Sequence, residues 1–325
     1  MNRPRLGDPL TSNEPYLLRL SNRLAIGLSE IDSDRRGRHR DFLLSQQLPD
    51  GGFRGREGDS DLYYTSFAVR GLAMLGGLQG QQCERIGEYV LACRSQNLSV
   101  IDLVSWLYTG LAVQLAGGPD PLAGAEEGFV ESVSESLEST RTADGGYART
   151  TLGAAGSTYH SFMVALAYEL LGQSVPEPDR MIQFVYDRQR DDGGFVEISP
   201  MKRSGTNPTA AAVALLVMLG GMDDELRDDV REFLELVRGD EGGFLANTRI
   251  PFCDGLSTFT GLLTVQDLGL EGVVKSERVE AFLKSELEFP TGGFRGAAWD
   301  TDADVEYTFY GLGTLALILG PEVSQ

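Results

Sequence analysis

Six carboxylates fall in two short runs, Asp59 with Asp61, then Asp300, Asp302, Asp304 and Glu306. Each run stands just ahead of an apolar segment that opens on tyrosine and threonine. Clustered carboxylates can hold a divalent cation that bridges a diphosphate, and a separated pair can flank a glycosidic bond. As a plain acidic rim they favour helix N-termini. Aromatic residues gather at similar places: Tyr63, Tyr64, Trp106, Tyr108, Tyr159, Phe259, Tyr307, Phe309 and Tyr310. Their faces suit an apolar chain and stabilise positive charge. Lys202, Arg203 and Arg249 are the cations placed to meet an anionic head group, and His160 adjoins Tyr159. Packing between helix layers is the alternative use of the aromatics, and solvated loop charge that of the cations.

The surface these groups sit on is acidic. Lys plus Arg total 28 and Asp plus Glu 48, a formal net charge of −20. Such a surface repels phosphate backbones and anionic lipid, so nucleic-acid binding and membrane insertion are not expected. Cys83, Cys93 and Cys253 do not make a disulfide framework and suit a reducing compartment. No apolar leader and no run of 18 apolar residues occur, so a soluble, cytoplasmic protein is the expectation.

The elements that position these residues come from a repeat. Gly-Gly-aromatic triplets begin at Gly51, Gly145, Gly193, Gly242 and Gly292, at intervals of 94, 48, 49 and 50. The first interval is nearly two periods, so a degenerate unit occupies Arg94–Asp102, and six units of about 48 residues result. In each, an amphipathic helix runs into the turn, as in Gln47-Leu-Pro-Asp-Gly-Gly-Phe53 and Gln189-Arg-Asp-Asp-Gly-Gly-Phe195. The acidic residue bonds following amides, and the glycines supply positive φ. A loop follows, then an apolar helix that opens on hydroxyl and aromatic residues and stops at Leu-Gly.

The second helices are apolar all round, which buries them; the first carry charge on one face and belong outside. Twelve helices therefore make two concentric rings, an all-α α6/α6 toroid over 35–325, with inner-helix N-termini around one mouth. Residues 1–34 form an extension with a helix over Glu14–Leu28. The run Arg35-Arg-Gly-Arg-His-Arg40 reads as a solvated helix start.

These units resemble the repeats of the α/α-toroid superfamily, which includes protein prenyltransferase β subunits, class II terpene cyclases and complement-like thioester domains. Unit length and turn wording are most similar to the β subunit of Rab geranylgeranyl transferase. The resemblance implies a central aromatic cavity for an isoprenoid or prenyl diphosphate, lined by Tyr64, Trp106, Tyr159, His160, Phe259, Tyr307 and Tyr310, with Lys202, Arg203 and Arg249 near the head group. It also implies a partner, either an α-type subunit or, on the reading preferred here, a second copy or none. The family cofactor is zinc, held after the fifth turn and at the last inner helix. Here the diphosphate-binding Arg and Lys fall on Asn247 and Ile250. The zinc ligands fall on Cys253, Gly255 and Tyr307, and the family's Tyr falls on Leu256. With that set replaced, thiol prenylation is in question, and the chain reads as an isoprenoid-binding toroid. The alternatives are a non-catalytic scaffold and a terpene cyclase. The cyclases protonate an alkene from an Asp-x-Asp-Asp motif before an inner-helix Thr, and the matching place reads Asp304-Val-Glu306-Tyr307-Thr308.

Overall fold

A computed structural model describes residues 14–94 and 98–320. After α1 (Tyr16–Gly27), outer and inner helices alternate. The outer ones are α2 (Ser33–Ser45), α4 (Gln81–Cys93), α6 (Phe129–Glu138), α8 (Pro178–Tyr186), α10 (Asp224–Leu236) and α12 (Ser276–Phe282), the last continued by a π turn over Leu283–Leu287. The inner ones are α3 (Leu62–Met74), α5 (Val100–Leu115), α7 (Thr158–Leu170), α9 (Thr206–Leu219), α11 (Gly255–Asp267) and α13 (Val305–Leu319). Each inner helix packs on the next, and α13 returns to α3, so the ring closes. Among the described residues no helix is long and apolar enough to cross a membrane.

Five of the six inner helices start where a short polar side chain accepts a backbone N–H, from Asp61, Ser99, Ser157, Asp254 and Asp304, and α9 starts at Gly205 without one. Left-handed Gly76, Gly172 and Gly220 end three of them. The signature turn fastens these helices to the outer ring. Phe53, Tyr147, Phe195, Phe244 and Phe294 are fully buried between the layers. Each one's N–H donates to a hydroxyl one turn into its inner helix: Thr65, Ser161, Thr209, Thr258 and Thr308, at 2.9–3.1 Å. The hydroxyl of Thr308 in turn donates to the Asp304 carbonyl at 2.5 Å, so one side chain satisfies both strands of chain. The degenerate second unit has Leu103 at this position and no turn; its residues 95–97 lie outside the described ones.

The two glycines of the turn differ in role. At Asp192-Gly-Gly-Phe195, Gly193 alone holds positive φ (81°), and its backbone lies on the Asp229 carbonyl. Gly194 is needed for close approach: a Cβ there would stand 2.6 Å from the Phe233 ring. The expectation that both glycines supply positive φ is thus corrected for the second glycine of this turn, whereas in the last turn both Gly292 (100°) and Gly293 (84°) hold it.

Two terminal elements depart from expectation. Within the basic run, Arg35 and His39 face the last unit rather than solvent. Arg35 forks onto Glu288 (2.5 and 2.9 Å), and fully buried His39 stacks on Phe294 at 4.8 Å. Helix α1 crosses the inner ring, touching α13, α3 and, opposite them, α7. Tyr16, Leu17, Leu20 and Leu24 are buried there. Tyr16 and Arg23 both bond Asp267, at the C-terminal end of α11 (2.7 and 2.8 Å). The Tyr16 N–H meets Glu169, near the C-terminal end of α7. The helix therefore plugs the C-terminal end of the barrel. The hollow left beneath Arg70, between α1 and α3, is about 10 Å³, room for one water at most.

Candidate functional site at the mouth of the inner ring

The clasping hydroxyl sets the phase of every inner helix. Because it points outward to the turn, residues two before it and two and five after it point to the axis. On α3 these are Tyr63, Phe67 and Arg70, on α13 Glu306 and Tyr310, and on α7 Tyr159 and Met163. On α9 the same places hold Asn207, Ala211 and Ala214. One wall of the lumen is therefore aromatic and the wall from α9 is small.

The aromatic wall is continuous. Tyr63, Phe67, Tyr310 and Phe259 stand in successive contacts at centroid separations of 4.9, 5.4 and 5.4 Å, with Phe309 beside them. Glu306 sits at its upper edge. Tyr63 donates to Glu306 Oε1 at 2.7 Å, joining the first and last units, and Tyr310 donates to the same atom at 3.3 Å. Burial raises the Glu306 carboxyl above its ordinary value, and the tyrosine hydrogen bonds oppose this without cancelling it. Burial, with Glu306 alongside, likewise holds Tyr63 and Tyr310 well above the ordinary phenol range. Across the ring, Tyr159 feels the charges of Glu306 and Arg70, yet is 37% exposed. Solvent therefore reaches its ring.

Tyr159 and Tyr310 take lumen-facing places, while Phe259, one residue after the clasping Thr258, packs against Phe309 and Tyr310 of α13. Trp106 is corrected: it turns away from the axis, donates to the Val90 carbonyl on α4 at 2.8 Å and packs on Phe129. Tyr64 and Tyr307 lie at the rim instead, each ring over a glycine of its own loop, Gly55 and Gly296. His160 also stays at the rim, where its Nδ1 is 3.1 Å from Ser157 Oγ, and Ser157 donates to Glu197. Burial lowers the His160 imidazole below its ordinary value. Lys202, Arg203 and Arg249 share the neighbouring fourth and fifth loops, Arg203 reaching Thr248 at 2.6 Å. Phe67 and Arg70 were not singled out by sequence; their spacing from Tyr63, four and seven residues on one helical face, is the signal that marks them.

The acidic rim does not converge on a metal. Asp61, Asp254 and Asp304 cap helices, and Arg56 bridges Asp300 and Asp304 at 3.2 and 3.3 Å. Among the described residues no three metal-ligating side chains cluster. Nor do the residues at the family's zinc positions fit the ion. Cys253 is buried against Gly239, and burial pushes its thiol up to about 12, far from a thiolate ligand. Gly255 offers no side chain, and the Tyr307 hydroxyl is also pushed up to about 12 by burial.

The signature of the prenyltransferase alpha-alpha toroid domain matches residues 18–167 and 158–324, so the chain belongs to that family. No curated protein matches it. Among solved structures it is similar to a type II terpene cyclase from Scytonema in complex with geranylgeranyl dihydroxybenzoate. That match has a TM-score of 0.62 at 14% identity and covers 93% of this chain and 99% of that one. It is also similar to a protein from Actinoplanes (TM-score 0.59, 15% identity, 88% and 98% covered). A third is an α-1,6-mannanase of Salegentibacter in complex with α-1,6-mannotriose (0.54, 12%, 88% and 98%). At these identities the likeness is one of fold.

Proposed function

We propose that this member of the prenyltransferase alpha-alpha toroid family binds an isoprenoid at the mouth of the inner ring, among the inner-helix N-termini, and that Glu306 protonates it, starting a cyclisation. One observation carries the reading: a half-buried carboxyl, held above its ordinary value, stands at the edge of a continuous aromatic wall. Burial raises the Glu306 carboxyl above its ordinary value and so favours its protonated form. Both recorded hydrogen bonds fall on Oε1, which leaves Oε2 to carry the proton. As Oε2–H gives its proton to an alkene carbon, the π electrons form the new C–H bond and the neighbouring carbon becomes cationic. The hydroxyls of Tyr63 and Tyr310 stabilise the carboxylate left behind, and the faces of Phe67, Phe259, Phe309 and Tyr310 stabilise the cation. Loss of a proton, or attack by water, ends the sequence.

Zinc-dependent prenyl transfer has no such support here, because the residues at its ligand positions do not suit the metal. Lys202, Arg203 and Arg249 are proposed to attract the charged end of an incoming ligand at the rim. The terpene cyclase of like fold, which binds a geranylgeranyl compound, agrees with the isoprenoid class.

The test is turnover of geranylgeraniol and geranylgeranyl diphosphate in D2O, followed by mass spectrometry. Cyclised product with one deuterium per molecule is expected. Glu306→Gln should cut the rate about 10²–10⁴-fold while ligand affinity stays within about threefold. Acyclic, unlabelled substrate recovered from the wild type contradicts the proposal.

A further inference from the structure

Arg70 lies two turns below Tyr63 on α3, about 10 Å deeper along the lumen. Its guanidinium stands over three rings, Tyr108 at 4.5 Å, Phe67 at 5.6 Å and Phe309 at 5.7 Å. Ring faces offset part of a buried cation's charge, but they do not satisfy its N–H donors. Four other arginines that reach the core hold carboxylates, Arg23 on Asp267, Arg35 on Glu288, Arg141 on Glu138 and Arg188 on Asp144, whereas Arg54, like Arg70, has a buried Nε without a partner. Among the described residues Arg70 has no hydrogen-bond or ion-pair partner, and its Nε is buried without one. The side chain is nonetheless partly solvent-reached, and its charge is felt by Tyr159 and Tyr310 on opposite walls of the lumen. Beneath it the space is closed by α1. Ser21 and Tyr108 there bond each other at 2.5 Å. That space holds one water at most, too little for a carboxylate, so the anion would have to come from the mouth side of Arg70.

We infer that Arg70 is an anion-binding site at the floor of the lumen and that the ligand is an apolar chain ending in a carboxylate. The site offers one guanidinium, whose two parallel N–H groups match one carboxylate; a diphosphate calls for several cations. The inference rests on the isoprenoid reading for the chain and adds its anionic end. It also fixes polarity: the carboxylate sits at Arg70 and the far end of the chain comes up to Glu306.

Calorimetric binding of farnesoic acid, farnesol, farnesyl diphosphate and octanoate to the full chain tests it. Farnesoic acid is expected to bind at least tenfold tighter than farnesol. Arg70→Met should abolish that preference by weakening the acid and leaving the alcohol unchanged, and Arg70→Lys, which keeps charge but loses the fork, should retain part of it. Equal binding of acid and alcohol to the wild type, or a preference intact in Arg70→Met, overturns the inference. So does a tenfold advantage of the diphosphate over the acid. If Arg70→Met does not fold, Arg70→Lys carries the test: a preference cut threefold or more upholds the site and an unchanged one overturns it. Octanoate binding through Arg70 without farnesol binding upholds the anion site and overturns the isoprenoid reading. Failure of both farnesoic acid and octanoate to bind overturns the anion site.

Discussion

The Tyr63 hydroxyl stands 2.7 Å from Glu306 Oε1 and so ties the first inner helix to the last. The same bond closes the ring and sets the carboxyl that the proposed chemistry needs. Because the folded-state Glu306 carboxyl is raised above 4.5, the folded chain holds its proton where the unfolded chain has lost it. Stability from this group is therefore greatest at low pH and falls as pH rises through the folded value. Tyr63→Phe removes a hydrogen bond to the carboxylate and extends that fall upward. Urea unfolding should show a loss of about 1 kcal/mol at pH 5 and a larger one at pH 8. An equal loss at both would contradict the coupling.

The hydroxyl clasp gives a second prediction. Thr308→Val leaves the Phe294 N–H buried without its acceptor at 3.0 Å and should cost about 1–3 kcal/mol. Thr308→Ser should cost much less. Equal losses for the two would mean that the methyl group, not the hydroxyl, is what matters.

At the seam between α2 and the last turn, Glu288 is buried, which alone would raise its carboxyl; His39 and Arg35 instead hold it at about 2. The Gly293 N–H donates to His39 Nδ1 at 3.0 Å, so Nε2 carries the proton that faces Glu288 at 3.1 Å. A depressed carboxyl stabilises fully above its unfolded value near 4.5, and the benefit is lost as pH falls through about 2. Glu288→Gln should lose about 3 kcal/mol at pH 6 and far less near pH 2, measured by denaturant unfolding. A pH-independent loss would contradict the assignment.

Metal should not matter to the fold. Excess zinc should leave the thermal midpoint of the wild type unchanged, because a ligand that binds only the folded state raises it. A rise of several degrees that Cys253→Ala removes would restore a zinc site and with it the transferase reading.

The turn repeat was legible because its signal is local: an acidic residue, two glycines and an aromatic recur with the period of a helix pair. Closure followed from the count of six. Helix phase was not legible, because the clasp that sets it joins residues 12 to 14 apart and shows only in the fold. In the second unit Leu103 replaces the clasping hydroxyl and the turn is missing. Trp106 therefore had no reference, and it occupies the outward place held on α3 by fully buried Ala68. Arg70 was hidden for a related reason. A single arginine in an apolar helix reads as one charged edge, and only the closed ring shows that this edge is the axis. Arg35 and His39 read as solvated charge because their partner, Glu288, lies about 250 residues away in sequence.

The most direct test is a crystal structure of the full chain with geranylgeraniol. The account predicts the prenyl chain in the lumen, between Tyr63, Phe67 and Tyr310 on one side and Tyr159 and Ala211 on the other. An alkene carbon should come within about 3.5 Å of Glu306 Oε2, the separation of a reacting pair. A chain bound outside the ring, or no chain in the lumen of crystals grown in saturating geranylgeraniol, would contradict it.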